Sequence, residues 1–475
     1  MSAQAKTCTG LKSYDELKKK IGSFPKPKTE ELTVENCKAS MLESGLFQGY
    51  AALTSLYISG NDIPILKNGT FDGLTSLKYM YLNNNNIQIL DNNLFKGLSK
   101  LCDLDLSCNK ITKIPSGLFA NFAMTTPGAT LNLSNNQISE FEEDAIKCVT
   151  VLYGTFDLSN NCIKGCPTGL FVHQLIENFD LSGNNISSIE ENAFERSNFR
   201  FLHLERNSIS EIHPNAFNKL EIQSELHLSS NQIKLYPGIF KDIKGVHELY
   251  LDDNALTTLP KNTFQGLSHL DTLSLNKNKL TLEKEGLETL ANVEYLHVED
   301  NNLSEIKPGT FTCLKNLRNL NLAYNNFTNL KPNTFWQASS EADKTFFFVL
   351  SLHHSNIETI TPGAFEGVDR VEDLQLYGNR LNKAHPDAFK GLSYIGLVNL
   401  QNNELENGEL LLTLPPCRQV QLGGNKKLSG GVQPNDLGIK DIEMIGFTRT
   451  CHRWNKDEGK YKLDEYYIEP NVAPN

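Results

Sequence analysis

The sequence predicts an α/β solenoid of about sixteen stacked repeats, with a parallel sheet along its concave face. Three observations carry this. The segment Leu53-Thr54-Ser55-Leu56-Tyr57-Ile58-Ser59-Gly60-Asn61-Asp62-Ile63 recurs in one register along the chain, a phenylalanine follows most copies ten residues past the asparagine, and 475 residues are too many for one ordinary core.

The asparagines form a ladder: Asn61, Asn85, Asn109, Asn136, Asn161, Asn184, Asn207, Asn231, Asn254, Asn278, Asn301, Asn325, Asn379, Asn403 and Asn425, with Ser355 standing in once. Most steps are 22 to 25 residues, one superhelical turn each. Within a repeat the leucines alternate with polar residues, which makes a short strand with leucines inward and the intervening side chains in solvent. A recurring inward amide is a structural demand, because a buried Asn is costly unless it bonds the backbone of adjacent turns. Phe71, Phe95, Phe119, Phe171, Phe194, Phe217, Phe264, Phe311, Phe335, Phe365 and Phe389, with Phe240 one residue early, should stack as a spine inside the convex wall. Prolines such as Pro115, Pro214, Pro308 and Pro386 precede them and disfavour helix there, so the convex side should be irregular.

The full pattern, L-x-x-L-x-L-x-x-N-x-[IL]-x-x-[IL]-P-x-x-x-F, resembles the typical extracellular subfamily of leucine-rich repeats over roughly residues 32 to 428. That subfamily includes Toll-like receptor ectodomains and secreted arthropod immune or adhesion proteins. The resemblance implies a disulfide-capped leucine-rich-repeat solenoid (horseshoe) that binds other macromolecules. A C-terminal flank with only Cys417 and Cys451 departs from family caps that often carry four cysteines.

The expected organisation is an N-terminal cap and capping repeat over 1–52, the repeats over 53–428, and a C-terminal cap and tail over 429–475. Cys37 takes the ladder position 24 residues before Asn61, and Tyr14 to Ile21 could form a short helix over the open end. The outermost cysteines, Cys8 with Cys37 and Cys417 with Cys451, flank the repeats, a placement that suggests disulfide-stapled caps and an oxidising compartment. The tail from Lys456 is expected to fray. Six further cysteines allow 15 pairings, among which sequence does not choose, and Cys166 at a leucine position reads as a buried thiol. Two long steps, 27 residues from Asn109 to Asn136 and 30 from Asn325 to Ser355, add loop outside the strands. The second, around Gln337 to Lys344, reads as a tolerated insertion rather than a binding loop.

Composition bounds the function. With 56 acidic against 45 basic residues and a net charge of −11, nucleic acid is not an expected partner. No run approaches the roughly 18 apolar residues of a membrane helix, so no membrane insertion of this segment is expected. Met1 to Lys6 lacks the apolar core of a signal peptide, and residue 1 is read as lying near a mature N-terminus. Sequons at Asn68, Asn132, Asn185, Asn302 and Asn326 point to an extracellular setting, secreted or as a surface ectodomain. There is no G-x-S-x-G, H-E-x-x-H, P-loop or G-x-G-x-x-G motif, so a binding scaffold is expected rather than an enzyme, with no cofactor.

The register also assigns faces. At the third, fifth, seventh and eighth positions of the repeats stand twelve acids and two bases, Arg206 and Lys277, far from the ratio of the whole chain. The densest run of acids and aromatics gives the expected ligand-binding strip: Phe201, His203, Glu205, Glu225, His227, Glu248, Tyr250, Asp252, Asp253, Tyr295, His297, Glu299 and Asp300. Tyr250 and Tyr295 would anchor a protein partner that carries a basic patch, and the carboxylates would meet its charges. His203 and His227 occupy equivalent positions of successive repeats and should nearly touch. Two imidazoles among carboxylates read better as a pH-sensitive surface than as a metal site, and no metal is assigned. The leading expectation is recognition in innate immunity. Adhesion or developmental signalling through homo- or heterodimers, or an inhibitor or carrier subunit, fits the same pattern.

Overall fold

The computed structural model describes residues 5–38, 40–120, 126–143, 145–146, 151–382, 385–426, 428, 442–446, 450–455 and 460–468. It comprises two compact units, Met1–Lys234 with Asp242–Leu249, and Leu235–Lys241 with Tyr250–Asn475.

In the first unit ten parallel strands follow one another in chain order from Ala5–Thr9 and Glu31–Glu35 to Asn198–His203 and Glu221–His227. The register is the one the leucines demand. Leu56, Met80, Leu104, Leu131, Phe156, Phe179, Leu202 and Leu226 face one another across successive strands, all buried. Each such side chain contributes about 1.5–3 kcal/mol over its exposed state. The second unit repeats the scheme, with Leu273, Leu296, Leu320, Leu350, Leu374, Val398, Val420 and Ile445 in one row.

The ladder works through three consecutive contacts. Asn109 Nδ2 donates to the carbonyls of Leu82 in the preceding repeat and of Leu106 in its own, both at 3.0 Å. Its Oδ1 accepts from the Ile87 N–H at 3.0 Å. The same pattern recurs at Asn136, Asn161 and Asn184. Ser355 is wholly buried and keeps part of it, donating to the carbonyl of Leu322 and accepting from the Asn325 N–H.

One feature of the turn was not read from the pattern. The residue just before each ladder position is left-handed, with φ between 51° and 78° from Asn36 to Gly424. Asn84, Asn135, Asn160, Asn402, Gly60, Gly183 and Gly378 adopt this region readily, whereas Arg206, Lys277, Tyr324 and His354 hold it against a Cβ clash.

The phenylalanines stack as expected, with Phe71 and Phe95 6.2 Å apart, Phe171 and Phe194 5.8 Å, and Phe365 and Phe389 5.4 Å. Around them the wall is made of turns and two-residue strands such as Ile65–Leu66 and Ile89–Leu90.

At the N-terminal end the helix Tyr14–Gly22 buries Leu17 and Ile21 and is capped by Ser13, whose Oγ accepts from the Glu16 N–H. Ala5–Thr9 adds an unforeseen strand to Glu31–Glu35. The Cys37 N–H bonds Asn61 Oδ1 at 2.7 Å, so Cys37 does begin the ladder. The expected staple is not shown: Cys8 and Cys37 are buried free thiols that approach each other, with Cys37 Sγ 3.6 Å from the Cys8 carbonyl oxygen. Backbone pairing and the helix close this end. Cys417 is a buried thiol against the Pro415 carbonyl, and the side chain of Cys451 lies outside the described residues.

The tail also departs from expectation. Lys460–Ile468 is a strand, antiparallel to Thr450–Asn455, which itself pairs antiparallel with Ile442–Gly446. An open parallel edge leaves a row of N–H and C=O groups unpaired, and this hairpin satisfies them. In the long step, Glu341–Asp343 forms a 3-10 turn whose Asp343 carbonyl accepts from Trp336 Nε1 at 2.8 Å, while Asp343 takes the hydroxyls of Ser339 and Ser340. The other long step crosses 121–125, outside the described residues.

Candidate functional site

Because the register is regular, each strip residue stands on the sheet face where its position puts it. In the first unit Phe201 faces Glu225 and His203 faces His227 across the Asn198–His203 and Glu221–His227 pair. The imidazoles stack with centroids 4.5 Å apart and planes 20° apart. His203 Nδ1 lies 3.6 Å from Glu205, and His227 Nε2 lies 2.8 Å from Glu225. Desolvation pulls the His203 pKa down, but the carboxylates of Glu205, Asp180 and Glu225 outweigh it and leave the group above its usual value. Burial pushes Glu205 up while the imidazoles pull it below the usual range, and its Oε2 is buried without a hydrogen-bond partner. Phe201 is half-buried, with the Arg200 guanidinium 5.0 Å above its ring.

Part of the acidic bias has a backbone cause. Asp105, Asp157 and Asp180 each accept, at 2.8 Å, from the N–H two residues on, of Ser107, Ser159 and Ser182. These contacts end the strand and set up the left-handed turn, as Asn132 and Asn321 also do. Asp252 takes both the Ser274 hydroxyl at 2.6 Å and the Asn276 N–H at 2.7 Å, which braces the next repeat.

Glu248 and Tyr250 lie half-buried in the short strand Glu248–Tyr250. In the second unit Tyr295 is 42% exposed at the start of Tyr295–His297. His297 is half-buried, and desolvation holds its pKa below the usual value against the pull of Asp252 and Glu299. Glu299 accepts from Asn321 Nδ2 at 3.0 Å. Asp253 and Asp300 are exposed at left-handed positions.

A second cluster, outside the expected strip, gathers in this unit. Tyr324, 48% exposed, stacks on His354 at 4.9 Å, and His353 stacks on Tyr377 at 4.5 Å. A Cβ at Gly378 would meet the His354 ring at 2.4 Å, so glycine there clears its place. Two bulky rings at left-handed positions, Tyr324 and His354, are strain where Asn or Gly would be relaxed, and such strain concentrates at functional sites. The His-His pair after the long step was the available signal. Phe346 and Phe348 stand exposed nearby in sequence, with Arg318 4.4 Å above Phe346.

Of the sequon asparagines, Asn68, Asn185, Asn302 and Asn326 are exposed, while Asn132 is half-buried and engaged with Ser134. No helix among the described residues is long and apolar enough to cross a membrane.

A regular ladder, a leucine row and a phenylalanine spine define a repeat scaffold whose sheet face carries the chemistry. The chain belongs to the leucine rich repeat family, whose model matches residues 27–87, 76–126, 174–233, 233–280, 244–303, 291–340 and 349–405. Among solved structures it is similar to the LRR protein LIC12759 of Leptospira interrogans, with 21% identity, a TM-score of 0.55, and coverage of 88% of this chain and 94% of that one. It is also similar to the chain solved in the TLR13-ssRNA13 complex, with 22% identity, a TM-score of 0.39, and coverage of 93% and 72%. What the chain shares with the first of these is the fold. No curated protein matches the chain.

Proposed function

We propose that this chain is a secreted or cell-surface recognition protein that binds a protein partner through its sheet face, in innate immunity. The reading rests on one arrangement. Tyr295 stands exposed at the start of the Tyr295–His297 strand that leads to Glu299 and Asp300, and the Asp300 N–H bonds the Ala323 carbonyl, which sets Asp300 next to the exposed Tyr324. Half-exposed tyrosines that become covered supply most of the energy of an interface, and carboxylates around them select a basic partner surface. Lysine pairs of this unit, Lys261 with Glu288, Lys307 with Glu283 and Lys331 with Glu305, join residues outside these face positions. The four exposed sequons support an extracellular setting.

Capture of partners on the immobilised chain, with identification by mass spectrometry, opens the test, and the captured partner is then titrated against salt. Affinity should fall as ionic strength rises, and Tyr295→Ala should weaken it about tenfold or more. A partner indifferent to both sinks the proposal.

A further inference from the structure

His203 and His227 form, with Glu205, a cluster apart from the tyrosines on which the proposed partner binding rests. One nitrogen of each imidazole and one carboxylate oxygen of Glu205 lie within 4.8 Å of one another. We propose that these three residues bind one divalent transition-metal ion of the zinc class on the sheet face of the first unit.

Register brings the ligands together. Parallel strands stand about 4.8 Å apart, and His203 pairs directly with His227, so their rings already overlap at 4.5 Å. Bonds of about 2.0–2.2 Å in a tetrahedral set put donor atoms roughly 3.4 Å apart. All three side chains are half-buried at the surface, so side-chain torsions close that gap while the strands stay fixed. Glu205 also carries an unmet acceptor. Its Oε2 is buried with no hydrogen-bond partner, an acceptor that a bound cation satisfies.

Surrounding groups suit an ion. Glu225 lies 2.8 Å from His227 Nε2, and carboxylates beside ligating histidines orient their rings. Asp180 pairs in register with His203 and adds negative charge. The cluster has two nitrogen donors, one oxygen donor and no thiol, which favours zinc, cobalt(II) or nickel over calcium or magnesium, ions that take all-oxygen sets. The ion would cross-link two adjacent repeats and reverse the local sign of the face, with its remaining coordination position open to solvent.

The test uses the full chain after dialysis against a chelator. Cobalt(II) is added and followed by absorbance, and zinc is followed by calorimetry. One ion per chain should bind, with the intense visible bands of a four-coordinate nitrogen and oxygen set, and zinc should raise the thermal midpoint. His203→Gln and His227→Gln should each weaken binding at least tenfold, whereas His297→Gln in the other unit should leave it unchanged. Ring-nitrogen resonances of the unsubstituted protein read the same ligation without a variant, and two histidines should shift on adding zinc. Wild-type affinity in either variant, an all-oxygen cobalt spectrum, or unshifted histidine resonances would overturn the assignment.

Discussion

The imidazole of His353 lies flat against the phenol ring of Tyr377, with centroids 4.5 Å apart and planes within 7°. Burial, with a smaller push from the neighbouring His354, holds the His353 pKa down to about 4, and its buried Nδ1 has no hydrogen-bond partner. The unfolded imidazole protonates near 6.5, so between 6.5 and about 4 the unfolded chain binds more protons. Stability from this group is therefore complete above about 6.5 and lost as pH falls towards 4. His353→Phe keeps a ring on Tyr377 and cannot titrate. The urea midpoint of the wild type should drop more steeply than that of His353→Phe over this window, and parallel curves would refute the assignment.

The ladder should be costly to interrupt. Asn109→Ala leaves the Ile87 N–H unpaired in the interior and takes one amide donor from each of the Leu82 and Leu106 carbonyls, which keep those of Asn85 and Asn136. A loss of about 2–3 kcal/mol is expected, read from urea denaturation. A loss below the scatter of surface variants would show that water takes over the contacts.

Spine residues should be graded by volume. Phe194 is wholly buried, stacked on Phe171 at 5.8 Å and on Phe217 at 6.3 Å. Phe194→Ala should cost about 3–5 kcal/mol and Phe194→Leu clearly less. Equal losses would mean that the rings do not pack as a continuous column.

Relief of a left-handed position should stabilise the fold. Lys277, at φ 52°, occupies the place that Asn fills in other repeats. Lys277→Asn should raise stability by roughly 0.5–1 kcal/mol, visible as a higher thermal midpoint. A lower midpoint would show that the lysine side chain makes contacts worth more than the strain.

Thiol reactivity should sort by burial. Cys108 is exposed, whereas Cys166 is wholly buried, its thiol pushed far above the usual range by desolvation, and burial beside Cys37 raises Cys8 to about 11. Alkylation of the native chain followed by peptide mapping should mark Cys108 first and reach Cys8 and Cys166 only in urea. Failure to alkylate Cys8 in urea before reduction would show instead that it is bonded.

The repeat was legible because two independent periods agree in it, the alternation of a strand and one inward amide per turn. That agreement gives every residue from Phe201 to Asp300 a definite register position from the sequence alone. It gave no access to double roles. Asp105, Asp157 and Asp180 look like surface charge in a sequence, yet each caps its own turn, so the acidic bias overstated what is available to a partner. Ala5–Thr9 lacks the leucine spacing and was invisible as a strand, and Lys460–Ile468 was hidden by its polar composition. Cysteine positions showed which thiols could approach, and Cys8 and Cys37 do approach, but position carries nothing about their oxidation. The Tyr324 and His354 stack depends on a left-handed backbone that only the coordinates display.

Within each unit the ladder amides reach backwards. Asn109 bonds the repeat that precedes it, Asn136 bonds the repeat of Asn109, and the series runs back to Asn61, which serves Cys37. The molecule is thus polar in a mechanical sense. Removing a repeat from the C-terminal side strips its predecessor of the amide that accepts from its turn, whereas removing one from the N-terminal side leaves an amide that still holds the carbonyl of its own repeat. Under load, the chain should unravel more readily from its last repeats than from its first, and shortened versions should be cut from the front.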